Sequence, residues 1–151
     1  MTRNEAFAHL SGVRDELEAA KFATERLLRA TAAGADDLLH ATYPVKPSHV
    51  RTCAANLEAT YILRLFSGFE MILRNYLAVA RGGRRRRTRM EIVIDRVAVA
   101  CNMPSGILVD AHAVREHRNT IVHDLASARE LTFGDCKSKL GTFLSFLPVR
   151  W

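Results

Sequence analysis

YILRLFSGFEMILRNYLAVA, residues 61–80, carries an apolar stripe of Ile62, Leu65, Phe66, Phe69, Leu73, Tyr76, Leu77 and Ala80. Steps of three and four run the length of the segment, and nothing alternates with the period of two that a half-buried strand requires. The pattern is a helix with one apolar stripe. Arg64, Glu70 and Arg74 interrupt it, so it reads as a core helix and not as a bilayer span. Followed back to about Ser48, the helix would be roughly 50 Å long at about 1.5 Å per residue. Ser67-Gly68 is the place where such a helix would kink.

The same periodicity extends in both directions. Upstream, Thr2-x-x-Glu5 is a capping-box pattern, in which hydroxyl and carboxylate satisfy free amides at a helix start. Phe7, Leu10, Val13, Leu17, Ala20, Thr24, Leu27 and Leu28 follow at helical spacing, and Gly34 is a natural stop. Residues 35–47, with Pro44 and Pro47, form a connection. Downstream, Thr88-x-x-Glu91 is a second capping-box pattern, leading Met90, Val93, Ile94, Val97 and Cys101. After Pro104, Ser105 can cap a helix that reaches about Ala126. Thr132-x-x-Asp135 opens a last helix with Cys136, Leu140, Phe143, Leu144 and Leu147, which Pro148 closes. The expected fold is all-α, an antiparallel bundle of about five helices in a single domain spanning 1–151.

Composition agrees with this fold. The chain has 151 residues, of which 48% are hydrophobic and 25% charged. That is the balance of a globular protein able to bury a core without staples. Cys53, Cys101 and Cys136 are odd in number and widely spaced, so neither a disulfide framework nor a zinc ribbon is indicated. They are expected to be small buried apolar residues in a reducing compartment. Arg3, Asn4, Glu5 and His9 stand where a secretory signal would carry apolar residues. A cytoplasmic protein that does not engage a membrane is the expectation.

The net charge of +6 is local in origin. Arg81, Arg84, Arg85, Arg86, Arg87 and Arg89 account for all of it and leave the rest of the chain near neutral. Arginine suits phosphate because its planar fork donates to two oxygens at once. These six residues are candidates for RNA binding. A solvating loop, or a contact with acidic lipid or a partner protein, explains the same run in blander terms.

The chemistry gathers in the fourth helix, at REHRNTIVHD, residues 115–124. Val114, Ile121 and Leu125, with Ile107 above them, make the core face of this helix at about 100° per residue. Beside that seam one edge carries Arg115, Arg118, Asn119 and His123, with His112 near the same stripe. Histidine gives or takes a proton near neutrality. Arginine stays charged and can hold a phosphate while negative charge builds on it. Together they suit attack of a ribose 2′-hydroxyl on the adjacent phosphodiester, giving a 2′,3′-cyclic phosphate and a 5′-hydroxyl. His123 would act as general base or acid, Arg118 would stabilise the pentavalent phosphorane, and Asn119 would orient the histidine or the phosphate. The reaction calls for no metal and no cofactor. The default reading of an Arg and a His on one helix face remains a solvated pair or a structural histidine.

RNTIVH, residues 118–123, resembles the R-x4–6-H motif of the HEPN superfamily of ribonucleases, with a polar residue straight after the arginine. FEMILRNYL, residues 69–77, is similar to the earlier helix of such domains, which often carries an acidic residue and a Leu-Arg pair. The resemblance touches two helices and is compatible with most of the chain. It implies a homodimer in which two such motifs face one another and form one composite centre. It further implies a role as a toxin or antiviral defence effector, often paired with an antitoxin or other regulatory partner. In the subgroup neutralised by a small nucleotidyltransferase a tyrosine follows the histidine, whereas here Asp124-Leu125-Ala126 follows.

Two residues are accessory candidates, Arg115 and Glu70. Glu70 and Arg74, at i and i+4, make an intrahelical ion pair in the simplest reading. On the resemblance alone, Glu70 would instead reach across to hold Arg118. His112, His117, His123 and Asp124 lack the i, i+4 histidine spacing of a zinc helix, and Arg115 and Arg118 beside them would repel a divalent cation. The alternative from a different class is a non-catalytic HEPN-like module that binds RNA or assembles with protein, with the arginine run doing the binding.

Overall fold

The computed structural model describes residues 1–33, 46–80, 82, 88–123 and 131–151. Five helices account for most of them: α1 (Arg3–Ala32), α2 (Pro47–Ala80), α3 (Met90–Ala100), α4 (Ser105–His123) and α5 (Phe133–Ser145). No strand occurs among the described residues, apart from one isolated antiparallel bridge between Thr2 and Arg150. The all-α bundle expected from the apolar spacing is the fold.

Two of the three capping boxes form. Thr2 accepts from the Glu5 amide while Glu5 accepts from the Thr2 amide, and Thr132 and Asp135 do the same for α5. The box at Thr88 does not open α3. That helix starts at Met90, and its N-cap, Arg89, makes no side-chain cap hydrogen bond. The Thr88 carbonyl accepts from Arg74 Nη2 at 2.9 Å, which ties this residue to α2 and shifts the helix start. Ser105 is the first residue of α4 and not its cap, because the Pro104 carbonyl receives the amides of Ile107 and Leu108 at 3.0 and 3.4 Å. α4 is described as far as His123, and the expected continuation to Ala126 lies outside the described residues, as does Gly34.

α3 closes in a Schellman motif with Asn102 in place of glycine. The Met103 amide donates to the Ala98 carbonyl at 2.9 Å, and the Asn102 amide donates to the Val99 carbonyl at 3.2 Å. Asn102 itself has a φ of 48°.

α2 runs 34 residues without a break, Ser67-Gly68 included. The glycine serves an interhelical contact: a Cβ on Gly68 would overlap the His9 imidazole of α1. With Glu16 paired to Arg64 at 2.6 Å, this contact fixes α1 antiparallel to α2. α5 also lies antiparallel to α1. The Arg3 guanidinium donates to the Ser145 and Leu147 carbonyls, and Gly141 faces the Phe7 ring. α5 therefore runs parallel to α2, where Glu58 accepts from the Phe133 amide at 2.7 Å and Phe143 meets Phe69 edge-on at 5.3 Å.

α2 touches all four other helices, so its stripe is the axis of the core. Leu65, Phe69, Ile72 and Leu73 are fully buried there, against Leu10 and Leu17 of α1, Ile94 and Val97 of α3, and Leu140 and Phe143 of α5. Ala80 and most of the second half of α1 are more open than their spacing suggests. Thr24, Leu27 and Leu28 are half-buried.

The cysteines correct the expectation of uniform burial. Cys136 is buried, Cys101 is half-buried with its thiol 3.5 Å from the Tyr76 hydroxyl, and Cys53 is exposed on α2; all three are free.

Candidate functional site

α4 packs against α2, α3 and α5, and Glu116, Thr120, Val122 and His123 are exposed in its second half. Its buried residues are Ala111, Val114, His117 and Ile121. Val114 and Ile121 stand where their spacing puts them, Ile107 is half-buried above them, and Leu125 lies outside the described residues. His117 is a core residue that the sequence reading misses. It is the one buried polar side chain among the described residues, 4% exposed, and its Nε2 has no hydrogen-bond partner among them. The 114–117–121 spacing is the signal of its place, since it continues the apolar register through a histidine.

The motif runs from the edge of the buried face to the exposed side of α4. Arg118 and Asn119 are half-buried, and His123 is exposed as the last residue of α4. Arg118 lies about 140° around the helix from His123, with Asn119 between them and only about 40° from the histidine. The side chains thus form a band and not a single line. A hydrogen bond narrows it: Arg118 Nη1 donates to Asn119 Oδ1 at 3.1 Å, which draws the guanidinium toward the histidine side. Along the axis Arg118 and His123 are separated by roughly 7.5 Å.

One turn earlier, Arg115 is held by Glu116 through Nη2 at 3.3 Å and is 19% exposed at its side chain, while its Nε is buried without a partner among the described residues. His112 meets Asp95 of α3 through Nε2 at 2.8 Å, and its Nδ1 is likewise buried without a partner. Asp95 escapes a sequence reading, because nothing in a linear pattern says which α3 residue faces which α4 residue. The three histidines of α4 thus have separate surroundings: His112 joins α3, His117 enters the core, and His123 meets solvent.

Glu70 lies apart from this band. Its carboxylate accepts from Arg74 Nε at 2.7 Å, and no Glu70–Arg118 ion pair occurs among the described residues. The intrahelical reading is the one realised, and Arg74 in turn anchors the Thr88 carbonyl. Arg89 is exposed at the head of α3, whereas Arg81, Arg84, Arg85, Arg86 and Arg87 lie outside the described residues. Among the described residues no helix is long and apolar enough to cross a membrane.

No protein-family model matches the chain, and no curated protein or solved structure matches it.

Proposed function

We propose that this protein is a metal-independent endoribonuclease whose working groups are Arg118, Asn119 and His123. The observation that carries the reading is the hydrogen-bonded Arg118–Asn119 pair of α4, with His123 one turn beyond Asn119. Arg118 is half-buried at the edge of the face formed by Ala111, Val114, His117 and Ile121, Asn119 accepts its hydrogen bond, and His123 is exposed.

In the proposed reaction His123 removes the proton from a ribose O2′. The O2′–P bond forms, and charge develops on the phosphoryl oxygens, where Arg118 donates. The P–O5′ bond then breaks, and O5′ takes a proton from an imidazolium. The products are a 2′,3′-cyclic phosphate and a 5′-hydroxyl, with no net gain or loss of protons. In a homodimer of the kind the HEPN resemblance implies, the second imidazole would come from the other copy of His123. Arg81, Arg84 to Arg87 and Arg89 would gather RNA by phosphate contacts. Such an activity fits a toxin or antiviral effector restrained by a partner.

The test separates cutting from holding. Arg118→Ala should lower cleavage by about 10²–10³-fold, as loss of a donor to developing charge does, while salt-dependent RNA binding survives. Replacing Arg84 to Arg87 with alanine should weaken binding and flatten its salt dependence. If Arg118→Ala leaves function intact and the loop replacement alone removes it, the protein is an RNA-binding or assembly module.

A further inference from the structure

The side of α1 that points away from the bundle carries charge arranged symmetrically about one exposed aromatic ring. At about 100° per residue, Asp15, Glu18, Arg26 and Arg29 all fall within about 40° of Phe22. The buried Leu10, Val13 and Leu17 lie on the opposite side of the helix. All five residues of the outer stripe are exposed. Phe22 is the most open aromatic side chain among the described residues, 61% exposed although Arg26 lies over its ring at 5.6 Å. The two acids stand seven and four residues before Phe22, and the two arginines four and seven residues after it. Each charge therefore has its opposite at the same distance on the other side of the ring. Among the helices α1 contacts only α2 and α5, so this face is separate from α4 and its motif.

A stripe that changes sign about its centre is complementary to its own reverse. A second α1 laid antiparallel, with the two Phe22 rings meeting, sets Glu18 against Arg26 and Asp15 against Arg29 of the other copy. Symmetry repeats both pairs. A parallel copy would set acid against acid. We infer that this face is an isologous interface with a second copy of this chain, antiparallel through α1 and centred on Phe22. Exposed Ala19 and Ala23 border the stripe on one side and let the second helix come close. Within one chain Asp15 pairs with Arg14, Glu18 with Lys21 and Arg29 with Glu25. Those pairs are exposed and weak, so sharing or exchanging them costs little. The buried rings supply the affinity, and the charges set the direction. One helix pair is smaller than the roughly 1,600 Å² of a standard interface, so the dimer is weak and exchanges with monomer. It differs from a dimer in which two α4 motifs face one another, and it leaves that face free.

The experiment follows the molar mass of nucleic-acid-free protein by analytical ultracentrifugation from about 1 μM to about 1 mM, in low salt and in about 0.5 M salt. The expected result is a reversible monomer–dimer equilibrium that salt shifts toward monomer. Phe22→Ser should weaken it by about tenfold or more, since it removes a buried ring from both copies. Two charge-reversed variants test the direction. Arg26→Glu with Arg29→Glu makes the stripe wholly acidic, and Asp15→Lys with Glu18→Lys makes it wholly basic, so each alone should be monomeric. Mixed in equal amounts they should form a heterodimer, because every pair across the two copies is then opposite in charge. A wild type that stays monomeric throughout, a dimer that survives in either charge-reversed variant, or a mixture that remains monomeric overturns the interface. The substituted side chains are all exposed, and circular dichroism checks that each variant keeps its helices. Should a charge-reversed variant fail that check, Phe22→Ser decides, and undiminished dimerisation in it overturns the interface.

Discussion

The Arg118 guanidinium donates through Nη1 to the side-chain oxygen of Asn119 at 3.1 Å. Adjacent residues on a helix point about 100° apart, so this contact reorients the arginine across the surface of α4. It joins two of the three motif side chains, and His123 follows Asn119 one turn on.

Asn119→Ala should therefore cost activity more than stability. Hydrogen bonds to charged groups are worth about 1.5–3 kcal/mol, so a fall in kcat/KM of about tenfold or more is expected if the bond persists in the transition state. The melting temperature should stay within a few degrees of the wild type, because Asn119 is not part of the core. Steady-state cleavage and a thermal melt on the same sample check both parts, and unchanged kcat/KM would remove Asn119 from the site.

His9 and Gly68 should be coupled. Alanine in a helix interior is favoured over glycine by about 1 kcal/mol, but at position 68 its Cβ would overlap the His9 ring. Gly68→Ala alone should lose most or all of that gain, whereas the same change on a His9→Ala background should realise it. Urea unfolding of the four proteins of the cycle measures the coupling. Equal increments in the two backgrounds would mean that the contact does not constrain the helix pair.

Asn102 holds a φ of 48° at the end of α3. Glycine adopts that conformation more easily than any residue with a Cβ. Asn102→Gly should raise stability by a few tenths of a kcal/mol up to about 1 kcal/mol. A loss of stability in chemical denaturation would show that the asparagine side chain contributes more than its backbone costs.

Burial, and then the carboxylates of Asp135 and Glu58, push the Cys136 thiol up from 9.0 to about 12. Between those values the folded protein keeps a proton that the unfolded chain has released, so stability falls as pH rises through this window. Tyr76, raised to about 12 from 10.0 chiefly by its hydrogen bond with Cys101, adds to the same trend. Urea midpoints measured across the alkaline range should decline less steeply for Cys136→Ser than for the wild type. Parallel slopes would show that this thiol does not titrate on unfolding. At mildly alkaline pH an alkylating reagent should modify exposed Cys53 and spare Cys136 in the folded protein.

The helices are legible in the sequence because each buries a face whose register the apolar residues spell out. Leu10, Leu17, Phe69, Leu73, Ile94, Leu140 and Phe143 all lie in the core where that register puts them. Helix starts are legible only where the local pattern acts alone. Thr2 and Thr132 cap as their spacing dictates, while Thr88 has its carbonyl engaged by Arg74 from fourteen residues away, and α3 begins later. The band of Arg118, Asn119 and His123 is visible because one helix carries all three. The Asp95–His112 pair is not, since interhelical pairing depends on packing angles that no single segment encodes. Residue type alone assigns Cys53 to the core, and its position on the outer side of α2 overrides that preference.

The most direct test of the central claim is the chemistry of the product ends. Purified protein and its His123→Ala variant would be incubated with labelled structured RNA in EDTA, and the fragments analysed for their termini. The account predicts wild-type fragments with 2′,3′-cyclic phosphate and 5′-hydroxyl ends, and none from the variant. Fragments that persist in His123→Ala, that carry 3′-hydroxyl ends, or that vanish in EDTA would contradict it.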